Sequence, residues 1–407
     1  MYFRKKHTRG EFDVTKRSMR RRRKQRYKKV EYYKGRNLRK EQTGDRIPKR
    51  VMLLLLLPLS IGITILCKQN VWIAEEIFAK RIYKWISICY SLITSAIPVS
   101  IAEFIYLLVP ILVVFFLIRF LVRLVLGKDD RLTMAGRFLL NVACTASVLL
   151  FTYTILCGVN YYRYSFTYYS GLTVQDSSVL ELYELCKSLA EQANDLREQV
   201  PKTDEQGVFH LTTTKRETAK KARDAMQNLS EQYPILAGWS AIPKSVLLSH
   251  YMSYTEITGV FFPFTMEANV NTDVPDFSIP YTMCHELSHM RGFMREDEAN
   301  FLAYLACINY DDVEFQYCGT MLALIHAGNA LANQDSALYY ELRSTYSEGV
   351  LKDLVANNEY WSKFEDTVIS TVSNQVNDTY LKANNQTDGV QSYGRMVDLL
   401  LALWRKK

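Results

Sequence analysis

His285, Glu286 and His289 stand in the run Thr282-Met-Cys-His-Glu-Leu-Ser-His289, an H-E-x-x-H pattern. On an α-helix, residues four apart project from one face, so the two imidazoles converge on one cation. Glu286 is rotated by about 100° from His285, which keeps it off the metal but beside a water bound there. Zinc with three protein ligands and an open position lowers that water's pKa to about 7. The glutamate can then take the water's proton during attack and hand it to a leaving amine. The chemistry predicted is hydrolysis of a peptide bond, with Zn2+ as cofactor, His285 and His289 as ligands and Glu286 as the base. The bland reading is a helix with two hydrogen-bonded histidines. With six histidines in the chain, chance alone produces such a pattern in roughly half a per cent of sequences of this composition, which favours the metal.

The third ligand is less clearly written. Gly292 fits the metzincin pattern, but a third histidine would have to stand at position 295, where Arg295 cannot ligate. Glu296, Asp297 and Glu298 are the candidates that remain. Glutamate-ligated zincins place this ligand four residues before an Asp or Asn on a second helix. Glu296 and Asn300 have that spacing, with Asn300 expected to orient an imidazole. Glu298 is about 200° away around the same helix and is expected to face a salt bridge. Glu296 is therefore the expected ligand and Glu298 the alternative. Acids at a helix N-terminus are favourable without any metal, so the run alone decides nothing. The chain must reverse at Gly292, where glycine permits positive φ.

Further polar groups bear on the cleft. Tyr393 and Arg395 follow the Gly389 turn, and His326 lies in an apolar helix; each is a candidate to stabilise an oxyanion. Against that stand packing, a surface ion pair and a core histidine. Pro263–Asn271 precedes the motif and is expected to be the cleft-edge strand that holds an extended peptide by main-chain hydrogen bonds. Glu267 and Asn269 would then reach the cleft. His210 and His250 show no partner pattern.

The elements that must position these residues follow from caps and periodicity. Residues 158–178 read as a Tyr- and Ser-rich linker. Ser178…Glu181 and Thr214…Glu217 are capping boxes that start two helices. Lys244–Val270 is rich in β-branched and aromatic residues and predicts two or three strands, with Pro263 at a sheet edge. From Tyr281 onward helical periods return, with breaks near Gly292, Asn309–Asp312, Asn333 and Asn384–Gly389. Residues 158–407 are thus expected to form an α+β, zincin-like metallopeptidase domain of mostly helices and a small sheet.

The rest of the chain is of another character. Residues 1–50 hold 21 Lys and Arg against 5 Asp and Glu, a net charge of +16, and the remainder of the 407 residues carries −8. Val51–Cys67 and Phe138–Cys157 are uncharged apolar runs, and Phe104–Ile118 is another between them. Ser100…Glu103 caps the middle one. Spans are placed at about 51–68, 101–124 and 138–157, with an amphipathic segment 71–97 on the surface anchored by Trp72, Trp85 and Tyr90. Four spans are the alternative. The basic tail and the 119–137 loop, with Arg119, Arg123, Lys128, Arg131 and Arg137, put the N-terminus in the cytoplasm and residues 158–407 outside the plasma membrane. The tail is a topology determinant touching anionic lipid rather than a nucleic-acid site. The eight cysteines show no C-x-x-C spacing, which argues against a cysteine zinc site.

Four runs resemble a known family: GVFFPFTMEANVN (259–271), PYTMCHELSHMRGF (280–293), EDEANFLAYLA (296–306) and YLKANNQTDGVQSYGRMVDLLLAL (380–403). With PVSIAEFIYLL at the middle span, they are similar to the bacterial domain-of-unknown-function family 3810. The resemblance covers most of residues 51–407 and leaves out the tail. It implies three membrane spans followed by a zinc-peptidase-like domain. The expected function is a membrane-anchored zinc metallopeptidase acting on peptide or protein at the outer face of the bilayer. The alternative is a catalytically inactive binding or envelope-assembly module.

Overall fold

The computed structural model describes residues 49–127, 130–384, 386 and 395–406; most of the basic tail and Tyr393 lie outside these. Contacts divide the chain into Met1–Leu54 and Leu55–Lys407. The first helix, α1 (Lys49–Gln69), is followed by a π-helical segment, α2 (Ile73–Tyr83), and by α3 (Lys84–Ser95). Then come α4 (Ile101–Leu126) and α5 (Arg131–Leu156). Helices α1, α4 and α5 are long and apolar enough to cross a bilayer, three candidate spans at the expected places. Ser100 caps α4 by accepting the Glu103 N–H, as its sequence predicts. Helix α5 starts seven residues before its uncharged run, because Asp130 accepts the Thr133 N–H and caps it there.

The segment expected to lie on the surface has two faces. Trp72, Trp85 and Tyr90 are exposed, while Glu75, Phe78, Tyr83 and Ser91 are buried. Cys67, Ala74, Phe78 and Val159 form one apolar cluster, which ties α2 to the ends of α1 and α5. The stretch expected as a linker is also packed. It forms a 3-10 turn at Gly158–Tyr162 and a short helix, α6 (Phe166–Ser170), with Val159, Tyr161 and Phe166 buried. Composition reads this run as polar, but its aromatic rings fill the floor of the following domain. Arg163 within it pairs with Glu75 at 2.8 Å, both side chains almost wholly buried.

Helices α7 (Val179–Gln199) and α8 (Lys215–Gln232) begin at the two expected capping boxes. The sheet follows, with β1 (Lys244–Ser245), a one-turn α9 (Ser249–Ser253), β2 (Gly259–Phe262) and β3 (Glu267–Val270). Its order is β1-β3-β2. Strand β1 runs parallel to β3 (Lys244 opposite Asn269) and β2 antiparallel to it (Gly259 opposite Val270). Pro263 ends the edge strand β2. The Pro263–Asn271 run, expected at the cleft edge, instead holds the central strand β3. It lies between two partners because its own N–H and C=O groups are needed on both sides.

The remaining helices are α10 (Ser278–Met290), α11 (Glu296–Ile308), α12 (Val313–Gln334), α13 (Ser336–Arg343), α14 (Glu348–Trp361), α15 (Val368–Ala383) and α16 (Met396–Trp404). The protein is mostly helical, with one small mixed sheet. The core lies among α7, α8, α10, α11 and α12, where Leu189, Met226, Leu287, Phe301 and Tyr317 are buried. Arg197 crosses it to Asp353 at 2.7 Å, and Phe209 N–H also donates to that carboxylate. The eight cysteines are free thiols.

Candidate metal centre

All thirteen residues of α10 are buried. A helix covered on every side is unusual in a soluble domain, and it holds its side chains in fixed places. Four-residue spacing brings His285 and His289 to one face, their rings 4.6 Å apart. At the end of α10 the chain reverses through Gly292, at φ 87°. A Cβ there would lie 3.1 Å from Arg163 Nη1 and 3.2 Å from the Tyr83 ring, so glycine is required by both space and φ. Arg295 is extended, and Glu296 opens α11. Its N–H donates to Gln386 Oε1 at 3.2 Å.

This reversal carries Glu296 back to the histidines. Its Oε2 lies 3.2 Å from His285 Nε2 and 3.6 Å from His289 Nε2. One ligand atom from each of the three falls within 4.8 Å of the others. The side chains are only 9–11 % exposed, so the cluster is sunk but reachable from solvent. His289 Nδ1 lies 2.8 Å from the Phe293 carbonyl, which makes Nδ1 the donor and leaves Nε2 free for the cluster. That carbonyl takes the orienting role expected of Asn300. Asn300 Nδ2 is buried without a partner, and its main-chain carbonyl accepts from Tyr281. The turn at Gly292 is tight enough to bring main chain closer to the ring than a side chain on α11 can come.

Charge reinforces the geometry. Burial alone would lower the His289 pKa, but the Glu296 carboxylate outweighs it and pushes the imidazole up to about 9. Burial would raise Glu296, and the two imidazoles instead bring it down to about 2. Glu286 is raised above the usual carboxylate range by burial, against the pull of both histidines. Its Oε2 is buried and has no hydrogen-bond partner among the described residues. Two imidazole nitrogens and one carboxylate oxygen suit a borderline divalent cation such as zinc, with coordination positions left over. The orphaned Glu286 oxygen beside them fits a group waiting for a water.

Strand β2 passes directly over this carboxylate. A Cβ on Gly259 would stand 2.4 Å from Glu286 Oε1 and 2.7 Å from Thr282 Cγ2. Nothing in the spacing of the sequence marks Gly259. Tyr83, 206 residues away, places its hydroxyl 3.2 Å from the His289 carbonyl and 3.1 Å from that of Met290, satisfying the C-terminal end of α10.

The other expected residues sort out as follows. Glu298 faces away from the cluster, accepting from Phe166 N–H at 2.7 Å and Arg295 Nη1 at 2.9 Å, the salt bridge expected of it. Arg395 pairs with Asp297 at 3.4 Å. His326 is half-buried; burial first, and then the neighbouring His285, lower its pKa to about 4. Glu267 and Asn269, expected to reach the cleft, do not. Glu267 accepts from the Ile101 and Ala102 N–H groups and pairs with Lys244, so it caps α4. Asn269 Nδ2 donates to main-chain carbonyls of β2 and β3.

Residues 78–401 match the family described as Protein of unknown function (DUF3810). The chain belongs to that family. The match begins within α2 and ends within α16, so it takes in α4, α5, the sheet and the whole His285–His289–Glu296 cluster. No curated protein and no solved structure matches the chain.

Proposed function

We propose that this DUF3810 protein is a membrane-anchored zinc metallopeptidase with a zincin-like domain at the outer face of the membrane. The observation that carries it is the meeting of His285 Nε2, His289 Nε2 and Glu296 Oε2 beside a buried Glu286 carboxylate whose Oε2 has no partner among the described residues. His285, His289 and Glu296 would hold the zinc. When bound, zinc supplies a Lewis acid that makes water nucleophilic near neutral pH. Glu286 Oε2 accepts the proton released in the attack. The same carboxylate would then hand that proton to the departing amine. The edge strand β2, which lies over Glu286, offers its main chain to an extended peptide. The Lys/Arg asymmetry supports a cytoplasmic N-terminus and an extracytoplasmic C-terminal domain. The partners are then a peptide or protein substrate and the bilayer; nucleic acid has no part.

The test uses the full chain, purified in detergent, with metal content measured alongside a proteomic comparison of wild-type and Glu286→Gln cells. Wild-type protein is expected to carry zinc, and Glu286→Gln to keep it while its substrates accumulate. His285→Ala should lose both metal and activity. An unchanged proteome in Glu286→Gln cells would refute catalysis and leave a binding or envelope-assembly module.

A further inference from the structure

A cavity of about 470 Å3 lies away from the metal cluster, between α2–α3, the stretch from Gln232 to Trp239 and the C-terminal end of α10. No residue lining it is acidic, and four are cationic: Lys80, Lys84, Arg163 and Arg291. Two of these are committed elsewhere, Arg163 to Glu75 and Lys80 to Glu76. The other two have no carboxylate partner among the described residues. Among the described residues the Arg291 side chain reaches Gln227 Oε1, at 3.5 Å, and its buried Nε meets no hydrogen-bond partner. Lys84 is exposed. The two side chains converge at Gly238: a Cβ there would lie 2.6 Å from Arg291 Nη1 and 3.9 Å from Lys84 Cε. A guanidinium without a carboxylate partner facing an ammonium, where the two neighbouring glutamates are already paired with Arg163 and Lys80, is a site for a doubly accepting anion. Guanidinium donors match the oxygens of a phosphate.

The position of the cavity narrows the source. Segment α2 is tied by the Cys67–Ala74–Phe78–Val159 cluster to the places where α1 and α5 end. Trp72, just before α2, and Trp85, in the first turn of α3, are exposed, with 56% and 68% of their surface open. Exposed tryptophans beside the ends of apolar helices mark the headgroup level of a bilayer. We propose that this cavity binds the phosphate of an anionic lipid headgroup, held between Arg291 and Lys84. A zwitterionic headgroup would bring a choline cation against a lining that holds no acid, beside glutamates already paired with Lys80 and Arg163, so a net negative headgroup is preferred. The bound lipid would also touch Tyr83, which holds the end of the motif helix.

The experiment titrates full-length protein in detergent with dioctanoyl phosphatidylglycerol, dioctanoyl phosphatidylcholine and inorganic phosphate. The readout is fluorescence of Trp239, which lines the cavity, isolated by subtracting a Trp239→Phe variant. Phosphatidylglycerol is expected to give a saturable change, and Lys84→Gln or Arg291→Gln to raise its half-saturation by about ten-fold. Arg81→Gln, on the same segment but off the cavity, should shift it by less than about two-fold. Equal potency of inorganic phosphate would make free phosphate the ligand and overturn the lipid assignment. Equal potency of phosphatidylcholine, or an equal effect of Arg81→Gln, would reduce the site to diffuse surface charge. Should Arg291→Gln fail to fold, Lys84→Gln carries the test, because that side chain is exposed and makes no buried contact to lose.

Discussion

Changing Glu296 to Gln keeps the length and shape of the side chain and removes only the charge and its ligating oxygen anion. In the structure that oxygen stands 3.2 Å and 3.6 Å from the two imidazole Nε2 atoms, while the nearby Glu298 is bound to Arg295 and Phe166 N–H. The two substitutions therefore probe different things. Groups that only support a zinc ligand typically change affinity by about 10–100-fold when removed, so a direct ligand should exceed the upper figure. The expected loss for Glu296→Gln is at least about 100-fold, close to 2.7 kcal/mol. Glu298→Gln should leave zinc affinity within about three-fold but lower stability by about 1–3 kcal/mol, since Arg295 and Phe166 lose a charged acceptor. Competition with a chromophoric chelator measures the first quantity on full-length protein without knowledge of any substrate, and thermal unfolding measures the second. Tight zinc in Glu296→Gln together with weak zinc in Glu298→Gln would refute the assignment and the account of the Gly292 reversal that supports it.

Two further outcomes are expected. Gly259→Ala puts a methyl group 2.4 Å from Glu286 Oε1, so the carboxylate or β2 must move; zinc content should hold while hydrolysis falls by about 100-fold, the usual cost of a misplacement of about 1 Å. Unchanged turnover of a peptide that the wild type cleaves would show that β2 does not set the position of Glu286. Asp276 accepts from Leu211 N–H at 3.0 Å and pairs with Lys215 and His210; burial would raise its pKa, but Lys215 outweighs burial and holds it below the usual range. A carboxylate depressed in this way adds stability above its unfolded pKa of about 3.9 and loses it as pH falls through the folded value. Asp276→Asn should thus cost about 1–3 kcal/mol at pH 7, and the gap between variant and wild type in denaturant unfolding should narrow as pH falls below about 4. A gap that persists in acid would mean that the ionised carboxylate is not what stabilises.

What could be read from the sequence was written within a few residues of itself. The H-E-x-x-H spacing, the capping boxes at Ser178 and Thr214 and the long uncharged runs are all local, and helices carry each of them. The four-residue step from Glu296 to Asn300 is local too, but Asn300 does not reach an imidazole. What escaped was written across distance or in the main chain. The Tyr83 hydroxyl meets the end of α10 from 206 residues away, and no local period announces such a partner. The group that orients His289 is the Phe293 carbonyl, which every residue type carries and none advertises. The stretch after α5 reads as a linker because tyrosine and serine are polar residues, whereas Phe166 joins the main core and Tyr161 packs with Tyr83, Met266 and Met294. Pro263 marks the edge strand β2 correctly, but the run after it, read as the cleft edge, is the central strand β3, because a short strand carries no signal for how many partners it has.

The joint between β3 and α4 has a bearing on what this protein can reach. Glu267 of the sheet caps the first turn of α4, and Glu103 of α4 accepts the Leu247 and Leu248 N–H groups that follow β1. Each side thus closes the other's open backbone groups, with no slack chain between them. Under the proposed function, such an enzyme does not roam on a tether. Its cleft stands at one fixed height above the lipid, like the stop on a gauge, and a scissile bond must present itself at that height. Selectivity could then rest on how far a bond lies from the membrane as much as on the side chains that flank it.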